Sequence, residues 1–315
     1  VKEYGIDGFR FDLMGLIDID TINQIKKECS KLKPNFIIYG EGWDMPTTLS
    51  SDKMSKMYNA SKMLDIGFFN DRYRDIAKGK SSDMELCVKG YLLGDYNYID
   101  GFKHIFLGSC IPLAFPPLFD DASQSINFIE CHDNATIYDK LKISNSFENE
   151  EAWLKRINMV NAMVLLSFGV PFLHAGQEIG LSKNGVHNSY NSGDQINHFD
   201  YDIMDQRWKM VNYVKDIISI RKKYPFFKIK DKNIISKMIE FKNLSEGGLL
   251  ITFKQEYISP FRQVDIIINP SHNILKYEFD EYHTLIANEN GSLQEGVHLK
   301  LLQANPLSIN ITFKD

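Results

Sequence analysis

The sequence GFRFD at residues 8–12 predicts a short β-strand that ends in a carboxylate. Side chains on a strand alternate between its two faces, so Gly8, Arg10 and Asp12 share one face while the two phenylalanines point to the other. Burying a charged pair costs free energy unless the charges are paired or perform a function. The segment alone is equally compatible with a structural Arg–Asp salt bridge and with a functional site.

A second apolar run, NFIIYGEGW at residues 35–43, also ends in a carboxylate, Glu41, which a tryptophan follows closely. Between the two runs, residues 20–32 carry apolar side chains at helical spacing, and Pro34 lies just beyond them. Asp18 or Asp20 is suited to cap the start of this helix. A strand, a helix and a strand at this spacing predict a parallel βαβ unit.

A third apolar run, SINFIECHDN at residues 125–134, again leads into acidic side chains. His132 and Asp133 are metal-ligand types, but two adjacent ligands without a spaced partner are weak support for a metal site. Parallel strands that each end in a carboxylate are typical of the catalytic rim of a TIM-type barrel. Glycoside hydrolysis uses two such carboxylates, about 5–5.5 Å apart in retaining enzymes.

Three of these segments resemble signature blocks of the alpha-amylase superfamily. They occur in the order of the superfamily, at the ends of its fourth, fifth and seventh barrel strands: GFRFD (8–12), YGEGW (39–43) and FIECHDN (128–134). Three further segments are similar to type I pullulanases: FFNDRYRD (68–75), AGQE (175–178) and KNGVHNSYNSGD (183–194). The resemblance extends to about residue 225 and is weaker over the tail.

The resemblance implies an α/β protein that comprises the C-terminal part of a (β/α)8 TIM-type barrel followed by an antiparallel β-sandwich domain. Residues 1–225 would form barrel strands four to eight, and residues 226–315 the sandwich. The sixth strand is predicted at 63–69 and the eighth at 170–176, with helices at 152–168 and 208–224. After residue 225, short strand-like runs occur without helices between them: 234–241, 248–253, 264–268, 276–279, 283–286 and 307–313.

The resemblance also implies catalytic roles for three carboxylates. Asp12 matches the nucleophile, Glu41 the general acid/base, and Asp133 the third carboxylate, which holds sugar hydroxyls and favours the oxocarbenium-like transition state. Four further residues match substrate-binding positions: Arg10, Trp43, His132 and Asn134. Arg10 would also stabilise the ionised carboxylate of Asp12. Trp43 is suited to stack on a sugar ring, and the alternative for it is packing beneath the rim.

These roles imply a retaining glycoside hydrolase that cleaves α-1,6-glucosidic bonds in pullulan, glycogen or branched dextrins through a covalent glycosyl-enzyme intermediate. Two alternatives stay open: a chain that at most binds α-glucan, and a related amylase-type specificity. The superfamily's first three strands have no counterpart in this sequence, so the chain alone is expected to be inactive. Its open sheet edges would favour self-association. No cofactor is required, although calcium occurs in the superfamily.

The composition limits the classes of partner. The chain has 315 residues, of which 43% are hydrophobic, which is enough for a sizeable core. A formal net charge of −5 argues against nucleic acid as a partner, because binding phosphates needs a basic face. No run of eighteen apolar residues suggests a membrane span. Four cysteines without CxxC spacing are expected to be reduced thiols, and a cytoplasmic location is slightly favoured over secretion.

Overall fold

The computed structural model describes residues 1–314, and its first part is built on a five-stranded parallel sheet. The strands follow one another across the sheet in chain order: β1 (Gly8–Phe11), β2 (Ile37–Gly40), β3 (Gly67–Phe69), β4 (Ser125–Asn127) and β5 (Val170–Pro171). Arg10 lies opposite Tyr39 in the register, and Tyr39 lies opposite Gly67. Within the described residues the sheet is open, because β1 and β5 have no strand on their outer sides.

Nine α-helices are present within residues 1–314, several of them in the connections between parallel strands. Asp18 caps the first helix, since its side chain accepts a hydrogen bond from the backbone N–H of Thr21 at 2.9 Å. The helices are α1 (Ile19–Leu32), α2 (Asp71–Ala77), α3 (Ile99–Phe106), α4 (Ile137–Ser144), α5 (Glu150–Leu166), α6 (Asp194–Asn197), α7 (Tyr201–Gln206), α8 (Trp208–Lys223) and α9 (Lys232–Met238).

A separate antiparallel sheet of six strands follows, in the order β10-β9-β11-β8-β7-β6. Its strands are β6 (Ile239–Asn243), β7 (Leu249–Lys254), β8 (Gln263–Asn269), β9 (Leu275–Asn288), β10 (Gly291–Ala304) and β11 (Ser308–Lys314). Alternate residues of β7 fall into different apolar clusters: Ile251 joins the main core with the helices, whereas Leu250 packs with Phe279 and Leu302. Strands β7, β8 and β11 are therefore buried on both faces, whereas most of β10 is exposed.

Several predicted boundaries were wrong, although the parallel and antiparallel arrangements are confirmed. The run 234–241 is mostly helix α9, and its strand begins only at Ile239. The runs 276–279 and 283–286 belong to one strand, β9. Strand β10 was missed: apolar and polar side chains alternate only over residues 297–301, and the preceding half of the strand is polar, glycine-containing and mostly exposed. The predicted strand at 63–69 pairs only from Gly67 onwards, and the one at 170–176 only over its first two residues.

The antiparallel sheet buries a carboxylate whose ionisation should affect stability. Asp265 is fully buried and accepts hydrogen bonds from the Thr252 hydroxyl at 2.6 Å and from the Gln263 side-chain amide at 2.9 Å. Burial raises the pKa of Asp265 from its ordinary value of 3.8 to about 6, against the effect of these hydrogen bonds. The folded chain therefore retains a proton that the unfolded chain releases between about pH 4 and 6, and folding becomes less favourable across this window.

We expect the free energy of unfolding of Asp265→Asn to rise relative to that of the native chain as the pH increases. Between pH 4 and pH 7 this relative gain should be about 3 kcal/mol, because two pKa units correspond to roughly that free energy. Chemical denaturation at both pH values measures the difference. His283, whose Nδ1 lies 3.3 Å from Asp265 Oδ2, has the opposite dependence, since burial lowers its pKa to about 4. Because Asp265→Asn alters this contact, the variant is compared with its parent in a His283→Gln background. Asp280→Asn, at an exposed position of β9, is the matched control; equal pH dependence of the two variants would contradict the prediction.

The structure contains no helix within residues 1–314 that is both long and apolar enough to cross a membrane.

Candidate active site

One guanidinium group joins two of the predicted carboxylates at the C-terminal ends of β1 and β2. Arg10 Nη1 donates to Asp12 Oδ1 at 2.7 Å, and Arg10 Nη2 donates to Glu41 Oε1 at 2.7 Å. The Glu41 side chain is only 8% exposed, whereas that of Asp12 is 67% exposed. The two carboxylates thus share a cationic partner but differ strongly in their access to solvent.

Backbone N–H groups of the segment after β1 bond both the carboxylate and the carbonyl of Glu41. The second oxygen, Oε2, accepts the backbone N–H of Leu13 at 3.0 Å, and Leu13 adopts a left-handed conformation with φ of 44° directly after β1. Gly15 donates its N–H to the Glu41 carbonyl at 2.9 Å. A Cβ atom at Gly15 would lie 2.1 Å from the Trp43 carbonyl oxygen, so this close approach requires glycine.

The first cavity of the site, which we name the carboxylate cavity, has a volume of about 270 Å³. Arg10, Glu41, Trp43 and His132 line it together with Cys131 and an aromatic wall of Tyr39, Phe69, Phe128 and Phe172. Phe69 makes edge-on contacts with Phe128 and Phe172 at ring-centroid distances of 5.1 Å. A concave site with aromatic walls and a few charged groups is typical of a small-molecule binding site.

The loop after β4 brings the third predicted carboxylate to the same region. His132 Nε2 lies 3.4 Å from Asp133 Oδ2, and both side chains are about half exposed. Lys183 donates to the His132 carbonyl at 2.9 Å, which ties this loop to the segment after β5. Asn134 has a positive φ of 60° and is exposed, and neither Asp133 nor Asn134 lines the carboxylate cavity.

A second cavity, which we name the histidine cavity, adjoins the first and also has a volume of about 270 Å³. His132 lines both cavities. Glu130 is buried in the histidine cavity, where its carboxylate accepts the Ile137 N–H at 2.5 Å and lies 3.0 Å from His174 Nδ1. The remaining lining residues are Thr136, Ala175, Leu181, Lys183, Ser189, Ile196, Asn197, His198 and Phe199.

Sequence reasoning did not single out Glu130, His174, Lys183 or the aromatic Tyr39 as site residues. Glu130 and His174 follow strands β4 and β5, so their positions after apolar runs were a usable signal. Lys183 opens one of the segments that resemble type I pullulanases. The contacts among these residues join distant parts of the chain and cannot be read from sequence spacing. The carboxylate of Glu178, in the AGQE segment, instead makes a contact within its own loop: it accepts a hydrogen bond from the backbone N–H of Gly176 at 2.9 Å.

The described residues do not contain a side-chain cluster that fits calcium. Within residues 1–314, the one group of three or more histidine, cysteine or acidic ligands consists of Cys131, His132 and Asp133. Calcium takes six to eight oxygen ligands, and this cluster offers one carboxylate beside a thiol and an imidazole. The expectation of calcium therefore stays a prediction without a located site.

Comparison with known proteins finds relatives of this chain among the pullulanases. The chain is 34% identical over 305 residues to the pullulanase of Bacillus subtilis (strain 168), an alignment that covers 95% of this chain and 42% of that protein. The chain is homologous to the pullulanases. The crystal structure of type I pullulanase from the same organism, complexed with maltose, superposes on this pullulanase homologue with a TM-score of 0.95 at 33% identity, covering 99% of this chain and 44% of that one.

A second pullulanase structure agrees with the first. The enzyme from Anoxybacillus sp. LM18-11, complexed with maltotetraose, matches with a TM-score of 0.92 at 33% identity, over all of this chain and 44% of that one. No family model matches the sequence. The pullulanase homologue thus spans about two fifths of the length of the relatives it matches. The resemblance to type I pullulanases drawn from the sequence motifs is confirmed.

Proposed function

We propose that this pullulanase homologue carries the catalytic carboxylates of a retaining glycoside hydrolase that cleaves α-1,6-glucosidic bonds in pullulan, glycogen or branched dextrins. The observation that carries the proposal is the pair of 2.7 Å bonds by which Arg10 holds Asp12 and Glu41 at adjacent strand ends. A shared guanidinium holds the two carboxyl groups on the same side of the sheet edge, as the pair of a retaining enzyme, about 5–5.5 Å apart, requires.

The proposed mechanism gives the two carboxylates different tasks. Asp12, which is exposed and bonded to Arg10, attacks the anomeric carbon and forms the glycosyl-enzyme bond, while Glu41 donates a proton to the leaving oxygen. Glu41 then accepts a proton from water, which attacks the anomeric carbon and releases Asp12. Asp133 would hold sugar hydroxyls in the distorted transition state, and His132 and Asn134 would bind substrate hydroxyls beside it.

The substrate class is supported by the walls of the carboxylate cavity. Trp43 is half-buried against the cluster of Phe69 and Phe128, yet it still lines the cavity beside Glu41. Aromatic rings offer apolar faces for the C–H faces of sugar rings, and polar groups at the cavity mouth can bond hydroxyls. The solved relatives are complexed with maltose and maltotetraose, which are α-glucans. We therefore propose α-glucan as the ligand, with neither a cofactor nor nucleic acid involved.

The products of pullulan digestion test the proposed reaction. Hydrolysis of the α-1,6 bonds alone releases maltotriose, whereas α-1,4 cleavage gives other products, so chromatography of a digest separates pullulanase from amylase-type specificity. NMR of the first product tests retention of the α-anomer. The 315-residue chain and a longer form that contains it should be compared. An inactive longer form that binds maltotetraose in calorimetry would favour the glucan-binding alternative, and the β-anomer as first product would exclude Asp12 as nucleophile.

We infer that the parallel sheet is a segment of a barrel and that its open edges govern the behaviour of the 315-residue chain. An apolar groove of about 740 Å³ runs along the sheet, where Ile37 and Val170 are 58% and 41% exposed. Unpaired strand edges and exposed apolar surface promote association between chains. The antiparallel sheet would be the C-terminal sandwich domain that packs on the flank of the barrel.

We therefore expect the 315-residue chain, expressed alone, to form oligomers or to be poorly soluble. Multi-angle light scattering across a range of protein concentrations measures its mass. Ile37→Lys places a charge on the exposed apolar groove and should shift the population towards the monomer. Leu113→Lys, at an exposed apolar position away from the groove, is the control. A native chain that is a monodisperse monomer at all concentrations would refute the prediction.

A further inference from the structure

Three consecutive side chains in the loop after β4 present a thiol, an imidazole and a carboxylate to one point. The ligand atoms of Cys131, His132 and Asp133 all lie within 4.8 Å of one another. The closest pair, His132 Nε2 and Asp133 Oδ2, is 3.4 Å apart. In a tetrahedral zinc site with bonds of about 2.0–2.3 Å, ligand atoms are separated by about 3.3–3.7 Å. The His–Asp pair already has this spacing, and the thiol needs to move by about 1 Å.

We propose that Cys131, His132 and Asp133 form a binding site for a zinc-class transition-metal ion. The donor set selects this class, because a thiolate and an imidazole are ligands for zinc and its neighbours, whereas magnesium and calcium require oxygen. Three protein ligands leave a fourth position for water, as in open zinc sites. Metal binding releases one proton to solvent, because the thiol of Cys131 is deprotonated as the metal–sulfur bond forms.

The cluster can be reached by a cation from solvent, and carboxylates lie near it. Cys131 and His132 both line the carboxylate cavity, so an ion can reach them from solvent. Glu41 lines the same cavity, and the adjacent Glu130 contributes a second buried carboxylate. Two ammonium groups lie beside the cluster, Lys183, which donates to the His132 carbonyl at 2.9 Å, and Lys78, so a metal ion has to bind against their charge. Cys131 Sγ donates a weak hydrogen bond to the backbone carbonyl of Asp133 at 3.9 Å, which keeps the thiol close to Asp133.

A metal at this cluster would regulate the site, and this consequence rests on the proposed function. Asp133 and His132 are the residues proposed to hold the sugar in the transition state, and a metal ion would occupy the same nitrogen and oxygen atoms. Zinc should therefore inhibit glucan hydrolysis in competition with substrate, and a chelator should reverse the inhibition. Binding itself does not depend on catalysis, so it can be tested on an inactive chain.

Cobalt(II) provides the direct test, because a cobalt–thiolate bond gives an intense near-ultraviolet absorption that oxygen and nitrogen ligands do not give. We expect one equivalent of Co²⁺ to produce this band in the native chain and Zn²⁺ to abolish it by displacement. Cys131→Ala should lose the band, and its Zn²⁺ affinity by calorimetry should fall at least tenfold, since losing even an outer-shell partner of a metal ligand costs 10–100-fold. Cys87→Ala, which removes an exposed thiol elsewhere, should behave as the native chain.

Alkylation of the native chain gives a readout that needs no variant. Zn²⁺ should protect Cys131 from iodoacetamide, as measured by peptide mass spectrometry, while the exposed Cys87 reacts at an unchanged rate and serves as internal reference. Protection of Cys131 with loss of the cobalt band in Cys131→Ala supports the site, whether or not glucan is hydrolysed. A cobalt spectrum without the thiolate band, or equal protection of the two cysteines, overturns it. Metal binding without inhibition of an active form would refute only the regulatory consequence.

Discussion

Asp12→Asn should reduce the turnover of pullulan by at least about 10³-fold while leaving the fold intact. Removing a nucleophile typically costs several orders of magnitude, since only binding and electrostatic stabilisation remain. The side chain is 67% exposed and its one side-chain bond is to Arg10, so the amide should be accommodated without repacking. Reducing-sugar release by a form of the protein that hydrolyses pullulan measures turnover, and circular dichroism checks the fold.

The matched control for this variant is Asp7→Asn. Asp7 precedes the same strand, has an exposed side chain and pairs with Lys33, so the substitution removes the same charge close by without touching the carboxylate cavity. We expect its turnover to remain within about twofold of native, because exposed ion pairs contribute little. Near-native turnover of Asp12→Asn, or an equal loss in Asp7→Asn, would show that Asp12 is not the nucleophile.

Glu41→Gln separates the role of the general acid from that of the nucleophile. A glutamine cannot donate the proton that a poor leaving group needs, so hydrolysis of pullulan should fall steeply while an activated aryl glycoside is affected much less. For Asp12→Asn both substrates should be lost together, because the nucleophile is needed with either leaving group. The ratio of the two rates in each variant is the measurement; equal losses for the two substrates in Glu41→Gln would reverse or exclude the assignment.

The sequence predicted the parts of the site that depend on strand periodicity. Alternation placed Arg10 and Asp12 on one face, and the structure shows their salt bridge. The two interpretations of that pair, a structural bond and a functional carboxylate, are not exclusive, because the same guanidinium also reaches Glu41 from the next strand. That contact spans 31 residues and could only be inferred once β1 and β2 were taken as parallel neighbours.

Other parts of the site depend on contacts that no local pattern contains. Lys183 reaches the His132 carbonyl across 51 residues, and Glu130 meets His174 across 44. The antiparallel sheet and the helix before it also contain elements that local sequence patterns do not predict. The first half of strand β10 contains polar residues and glycines because much of its surface faces solvent, and α9 carries β-branched isoleucines that favour a strand by propensity although tertiary packing makes the segment helical.

A buried ion pair joins the helical part of the chain to the antiparallel sheet, and breaking it should strongly destabilise the protein. Arg156 on α5 and Glu148 have side chains only 2% and 1% exposed. Arg156 Nη2 donates to Glu148 Oε1 at 2.6 Å and Nε donates to Oε2 at 2.8 Å. The same carboxylate lies 2.8 Å from His272 Nε2, in the connection between β8 and β9, and Arg156 also donates to the Leu92 carbonyl.

We expect Arg156→Met to lower the free energy of unfolding by about 3–5 kcal/mol, because it leaves the carboxylate of Glu148 buried without its main partner. Urea denaturation followed by circular dichroism measures the change. Lys155→Ala is a matched control on the neighbouring position of α5, where an exposed pair with Glu151 should contribute less than about 1 kcal/mol. Similar losses in the two variants would show that the buried pair contributes no more than a surface one.

The pH dependence of Arg156→Met identifies the cause of this loss. In the native chain burial raises the pKa of Glu148, but the hydrogen bonds and charge of Arg156 outweigh it and hold the pKa below the ordinary value of 4.5. The native pair therefore stabilises the fold above about pH 4.5, and this stability is lost as the pH falls through the lowered pKa. Without Arg156, burial dominates and the folded chain favours a protonated Glu148. The deficit of Arg156→Met should thus shrink as the pH is lowered from 7 to 4, whereas a deficit caused by lost side-chain packing would stay constant.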